Sequence, residues 1–484
     1  MTSKNLKESA IAGMLWSGTG NIVLQSLQFL FSIILARLLT PEDYGLTAIL
    51  FFFYSLAMLF VDAGFTNALI RKKNITQSDL STAFYFNFIV GLLCFSSLFF
   101  SAPYIASFYG KPLLTNLVRV FSLTLLFVPL MLVQNFQLQR KLDFKRISII
   151  NILSNFIANI IAVILAFCGW GVWSLIFMYV SVTLIAVIMY WKNSSWRPSW
   201  TFSIQSFKYI LNFSYKLLFD GIVSTTVSNI NNLVIGKVFS ATSLGYYTKA
   251  STLSSLPSSM IDKTILSVSY PLLSKMQDDK VQLIRNYRRL VRMTAFLTFP
   301  LLVTLSAVAR PLIILVYTEK WAPSIPYLQI LCFSFMLAPI LSLNKNILET
   351  LNRTDLVFKL RIINTICFLC IFFISIHFGI SGLCIGIVIS SFITYFVNTY
   401  YVGNLLCLKV LSLIKDVVPF LIISVLIGFI MSQMVRYISI DWIAILLSII
   451  VGFTIYILIA YILKMSELNE VYRIIENKIK NKYV

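Results

Sequence analysis

Charge is scarce in this chain, and little of it is negative: 12% of residues are charged, with 18 acids against 39 lysines and arginines. A soluble domain carries about a quarter of its residues charged, so most of this chain cannot present a water-solvated face. Histidine occurs once, at His377, which excludes a His-rich metal site and argues against a Ser/His hydrolase. No Walker-type Gly-rich loop is present, which argues against direct use of ATP. Connections on the basic-poor side run to no more than about 15 residues, ordinary lengths that leave no room for a catalytic domain. Cys367 and Cys370 form a CxxC, but on an apolar stretch without a second ligand pair these read as packing thiols. No disulfide, metal or cofactor is expected.

What fills the chain is apolar. Hydrophobic residues make up 58% and the mean hydropathy is +0.87, more apolar surface than one aqueous core can hide. With a window of about 20 residues, fourteen candidate spans begin near Ile11, Leu46, Ala83, Leu117, Ile147, Val172, Leu211, Tyr246, Met293, Ile325, Ile362, Leu383, Val417 and Trp442. They lack period-2 alternation, so they read as helices and not barrel strands. The fold class is therefore all-α and polytopic.

Cations fix an orientation. Arg71 to Lys73, Arg140 to Arg146, Lys192 to Lys208, Lys275 to Arg292 and Arg353 to Arg361 all fall in connections on one side. The positive-inside rule makes that side cytoplasmic and places both termini there. The formal charge of +21 thus reflects topology and attraction to anionic lipid, not nucleic-acid binding. The first apolar run is too long for a signal-peptide core and is expected to remain as the first helix. Seven of eight tryptophans fall near proposed helix ends, as interfacial anchoring requires; Trp16 alone lies a turn or two inside.

The chain also repeats itself. At an offset of 200 residues Gly45 pairs with Gly245, Ser55 with Ser255 and Asp62 with Asp262; at 210, Pro129 pairs with Pro339 and Gly169 with Gly379. Small insertions make an offset drift in this way. Residues 1–200 and 201–408 are read as two six-helix lobes, with residues 409–484 adding two spans and a cytoplasmic tail. Both copies start on the same side, so the repeat is parallel, and such repeats hold substrate between their lobes. The repeat also requires spans seven and eight to be helices although they are rich in Ser, Thr and Asn; their polarity marks a lumen.

Intramembrane polar residues are the candidate site, since a charge at mid-bilayer costs about 2.5–3.5 kcal/mol on insertion scales. Lys216 and Asp220 share a helical face, either as a self-neutralising pair or with the lysine facing the lumen for an anionic ligand. Lys345 either snorkels to the interface or supplies a second phosphate anchor. Asn21, Gln25 and Gln28 share a face of span one and, with Asn229 and Asn232 of span seven, are assigned to sugar hydroxyls. Asn151, Asn155 and Asn159 of span five are read as interhelical hydrogen bonders within a lobe. Asp62 and Asp262 either pair with nearby cations, Arg71 to Lys73 and Lys263 or Lys275, or act as protonatable carboxylates coupling transport to an ion gradient.

Four stretches carry a family resemblance: ILARLLTPEDYG from Ile34, VDAGFTNALIRKK around Asp62, DLSTAFYFN from Asp79 and APYIASFYGKPLL from Ala102. They resemble polysaccharide flippases of the multidrug/oligosaccharidyl-lipid/polysaccharide exporter superfamily, in the branch that includes the colanic acid exporter. The resemblance implies a two-lobed, V-shaped, alternating-access transporter of the bacterial cytoplasmic membrane. Its substrate would be an undecaprenyl-diphosphate-linked oligosaccharide repeat unit, with a polysaccharide polymerase and other assembly proteins as partners. Lys216, and less directly Lys345, match the cavity cations that hold the diphosphate in that family. Two rivals stand beside this reading: a cation-coupled multidrug exporter of the same superfamily, whose lumen should be acidic, and a membrane glycan polymerase or ligase, which would want a large outer loop.

Overall fold

A computed structural model describes residues 3–62, 69 and 75–480. All regular structure among these is helical. Among the described residues eleven stretches are long and apolar enough to cross a membrane, and one of them, Thr354–Leu405, has the length of two spans. Two further long helices, Ile204–Val234 and Ala241–Ser274, are polar and lie where the sequence places spans seven and eight. By contact, the chain divides into two compact units, Met1–Gly245 and Tyr246–Val484.

The first unit runs α1 (Ser3–Leu38), α2 (Pro41–Asp62), α3 (Gln77–Tyr109), α4 (Leu113–Ser122), α5 (Thr124–Arg140), α6 (Phe144–Phe167), α7 (Val172–Asn193) and α8 (Ile204–Val234), then enters α9 (Ala241–Ser274). In lipid no hydrophobic force drives one helix onto another, so close backbone approach through small residues and shared hydrogen bonds must do it. Helix α6 has that pattern: Ser154, Ala158, Ala162 and Ala166 recur every four residues and are all buried. Along this helix α1 packs closely; a Cβ added at Gly20 would lie 2.6 Å from the Ser148 hydroxyl. The large apolar side chains instead point outward, with Phe100 and Phe167 at least 70% exposed, the inversion expected where lipid is the solvent.

Helix α1 begins well before Trp16, and the Lys145 ammonium sits 5.2 Å over the Trp16 ring.

The second unit continues α9 and adds α10 (Lys280–Ala307), α11 (Ala309–Tyr317), α12 (Ile325–Phe335), α13 (Ala338–Thr350), α14 (Thr354–Ser375), α15 (Gly379–Leu405), α16 (Val410–Lys415), α17 (Val418–Tyr437), α18 (Asp441–Ile462) and α19 (Ser466–Lys480). The last two spans are fastened to α10: Gly428 lies against Val303, and the Tyr456 hydroxyl donates to the Phe296 carbonyl at 3.0 Å. Arg288 grips Asp416 in two hydrogen bonds of 2.6 and 2.8 Å, Arg289 meets Glu470 at 2.7 Å, and Arg292 meets Glu467 at 2.5 Å. These three arginines, read from the sequence as topological charge, tie α16 to α19 onto the start of α10.

The repeat is visible in backbone detail. Thr40 and Ser240 accept from the amides of Asp43 and Ser243, capping α2 and α9 alike. Gly169 and Gly379 both take positive φ, +80° and +75°. So do Leu142 and Asn352, at 58° and 55°, where α5 and α13 each end and α6 and α14 begin; those two positions also stand 210 residues apart.

Candidate translocation site

The polar face of α8 is built from residues that cost a helix nothing to bury only if their hydrogen bonds are made locally. Asn229 donates to the Thr225 carbonyl at 2.9 Å, Asn232 donates to the Asn229 amide oxygen at 3.4 Å, and Ser228 donates to the Ser224 carbonyl at 2.7 Å. These side chains are half-buried or exposed, so the ladder keeps further acceptor and donor capacity along one face. The last turn, Ile235–Phe239, widens to a π turn. Lys216 and Asp220 lie four residues apart on α8, with side chains outside the described residues.

On α1, Asn21 and Gln28 are exposed and Gln25 is half-buried. Gln28 donates to Asn155 of α6 at 3.1 Å, while Asn155 and Asn159 donate to carbonyls one turn back at 2.9 and 2.8 Å. Gln28 is thus engaged with the amide row of span five inside one unit. Asn21 and Gln25 continue the same face beyond that contact.

In the second unit, Asn344-Lys345-Asn346 splits by direction. Asn344 accepts from Tyr287 at 2.5 Å and Asn346 donates to Ser269 at 3.1 Å, both buried. Lys345 points the other way, half-exposed, with Glu349 at 3.5 Å. This partner, four residues on, is legible in the sequence as a helix-face pair. Asp262 has a buried Oδ1 with no hydrogen-bond partner among the described residues, with Ser342 its hydrogen-bonding neighbour. Asp62 is half-buried and engaged; Arg71 to Lys73, its expected partners, lie outside the described residues.

Lys249 carries no sequence signal that sets it apart from other cations. It is buried, its ammonium 4.3 Å over the Tyr317 ring and 5.6 Å over that of Trp321. Lys237 caps the Phe108 carbonyl, and Lys111 pairs with Glu42 at 2.6 Å. Cations at these ends are structural.

Comparison with known proteins identifies the family and the fold. A family model described as polysaccharide biosynthesis protein matches residues 34–326. The teichuronic acid biosynthesis protein TuaB of Bacillus subtilis is 26% identical over 73% of this chain and 74% of its own. The lipopolysaccharide biosynthesis protein WzxC of Escherichia coli is 26% identical over 81% of each, and the succinoglycan biosynthesis transport protein ExoT of Rhizobium meliloti 26% over 66% and 65%. Among solved structures, the lipid II flippase MurJ in its inward closed conformation superposes with TM-score 0.75 at 19% identity, covering 93% of this chain and 98% of that one. An inward-facing multidrug transporter of the MATE family gives 0.60 at 15% identity. With its matched segment running from the first span to the tenth, this chain is a multi-pass membrane protein that belongs to the polysaccharide biosynthesis protein family.

Proposed function

We propose that this protein is a flippase, not an enzyme, that carries undecaprenyl-diphosphate-linked oligosaccharide repeat units across the cytoplasmic membrane by alternating access. The observation that carries the reading is the uncommon polarity of α8 within an otherwise lipid-adapted, duplicated fold of this family. A diphosphate-linked sugar cannot cross about 30 Å of hydrocarbon unaided; it needs a polar passage, while its polyprenyl tail stays in lipid. The names of WzxC, ExoT and MurJ point to the same class of cargo.

In this reading residues 1–200 and 201–408 are the moving lobes, residues 409–484 an accessory pair of helices and tail, and both termini are cytoplasmic. Lys216 holds the diphosphate, with Asp220 setting its charge. Asn21, Gln25, Asn229 and Asn232 meet sugar hydroxyls, and Gln28 positions α1 through Asn155. Lys345, exposed beside Glu349, serves a lesser electrostatic role. A polysaccharide polymerase consumes the product outside.

The experiment is deletion of the gene in its own host, followed by extraction of lipid-linked sugars. Repeat units should accumulate on the cytoplasmic side and be cleared by the wild-type gene. Ordinary export without accumulation would sink the reading. Asp262 adds ion coupling to the proposal, because an orphaned carboxylate oxygen inside a span needs a proton or a cation. Asp262→Asn should then leave substrate binding intact while abolishing gradient-driven flipping; equal flipping by that variant would remove ion coupling alone. Raised drug resistance in overproducing cells would instead favour the multidrug reading.

A further inference from the structure

Carboxylates are unevenly distributed among the cations of this chain. In the second unit Arg288, Arg289, Arg292, Lys345 and Arg353 each have a carboxylate partner. In the first, no acidic residue occurs between Asp143 and Asp220, a stretch that includes Lys192, Arg197 and Lys208. The acids nearby in the fold are committed: Asp79 is buried and caps α3 while accepting from Ser206, and Asp143 pairs with Arg146 at 2.9 Å.

Between α5 and α7 lies an open groove of about 460 Å³, lined by Leu130, Val187, Ile188, Trp191, Lys192 and Arg197. Its cationic mouth is preorganised. Arg197 donates to the carbonyls of Ser194 and Trp196, both at 2.8 Å, and its guanidinium lies 5.2 Å over the Trp191 ring. Trp191 is itself fixed by donating to the Leu130 carbonyl at 2.9 Å. Carbonyls and a π face hold the guanidinium without cancelling its charge. Lys192 stands exposed next to it. The rest of the groove is apolar, with Ile188 47% exposed. From Arg197 the chain continues through an exposed strip, Trp200, Phe202 and Ile204, with Trp200 stacked on Tyr85. Such a strip suits a membrane–water interface.

We propose that this groove is a binding site for an anionic phospholipid of the surrounding bilayer. The phosphate sits at Lys192 and Arg197, and one acyl chain runs along Leu130, Val187 and Ile188. Basic pockets between membrane helices recognise anionic headgroups in this way. The site rests on the chain spanning a membrane, and not on which cargo it carries. The apolar wall selects a lipid over free phosphate, and the open form of the groove suits a bilayer component.

The test is native mass spectrometry and thermal unfolding of the purified full-length protein in a neutral detergent, titrated with phosphatidylglycerol, phosphatidylcholine or inorganic phosphate. Phosphatidylglycerol should be retained and should raise Tm, with phosphatidylcholine and phosphate giving neither effect. Lys192→Gln should weaken retention about five-fold, the effect of one interfacial cation, and Ile188→Trp should block the acyl path. Lys280→Gln, an exposed cation of the other unit, should change nothing. Arg197→Gln also releases loop carbonyls, so Lys192 and Ile188, both exposed, carry the decision if that variant misfolds. Equal retention of phosphatidylcholine, equal stabilisation by phosphate, or wild-type binding by both decisive variants would overturn the site.

Discussion

Gly45 of α2 and Gly245 of α9 make one contact twice. A Cβ at Gly45 would lie 1.7 Å from the carbonyl oxygen of Ala241, and a Cβ at Gly245 would lie 1.8 Å from that of Pro41. Pro41 and Ala241 are themselves repeat equivalents, each opening its helix. The two approaches are reciprocal, backbone against backbone, and glycine is required on both sides. The obstructing atom is a main-chain oxygen and cannot rotate away. Gly45→Leu and Gly245→Leu should each part the helices at this end, at a cost of about 1–3 kcal/mol or more. A Leu244→Cys probe, fully buried beside the crossing, should then react faster with maleimide. Unchanged reactivity together with normal export would show that the crossing is dispensable.

Lys216→Ala should abolish or sharply reduce clearance of lipid-linked repeat units at normal protein levels. Lys345→Ala should do much less, because an exposed pair spaced as Lys345 and Glu349 contributes about 0–1 kcal/mol. The two variants are compared by sugar-lipid extraction from the same cells; the reverse ranking would move the anion site to α13.

Asp416→Ala should destabilise the second unit by about 1–2 kcal/mol, the lower part of the range for hydrogen bonds to charged groups, since Arg288 is partly open to solvent. Thermal unfolding of Asp416→Ala, Arg288→Ala and the double variant closes the cycle. A double variant no less stable than either single one would agree with a direct pair; simple additivity would not.

Asp79→Ala should free the segment between α7 and α8. Its carboxylate accepts from the Thr76 amide at 2.8 Å and from the Ser206 hydroxyl, while Ser81 and Ser199 meet at 3.0 Å and Ser203 donates to Thr82 at 2.9 Å. Losing the cap alone costs about 1 kcal/mol. Limited trypsin digestion should cut the variant after Lys208 at protease levels that spare the wild type; identical cleavage patterns would count against the latch.

Periodicity and charge made the spans legible, because a bilayer imposes length and composition on each helix separately. The repeat was legible where side chains coincide, as at Gly45 and Gly245, and hidden where only backbone does: Leu142 and Asn352 share a left-handed turn but no chemistry. Partners far apart in the chain were not legible. Arg288 and Asp416 are separated by 128 residues, and Gln28 and Asn155 by 127. Nothing local distinguishes an arginine meant for a headgroup from one meant for a carboxylate. The phosphate-holding role proposed for Lys216 rests on its place in α8 and on the family resemblance.

The arginine row at the start of α10 also bears on biogenesis. Its counter-charges are made late: four spans separate the row from Asp416 and six separate it from Glu467 and Glu470. The second unit cannot complete its ion pairs until those carboxylates are made, and a nascent chain stalled before Glu467 would leave Arg289 and Arg292 unmatched before quality-control proteases.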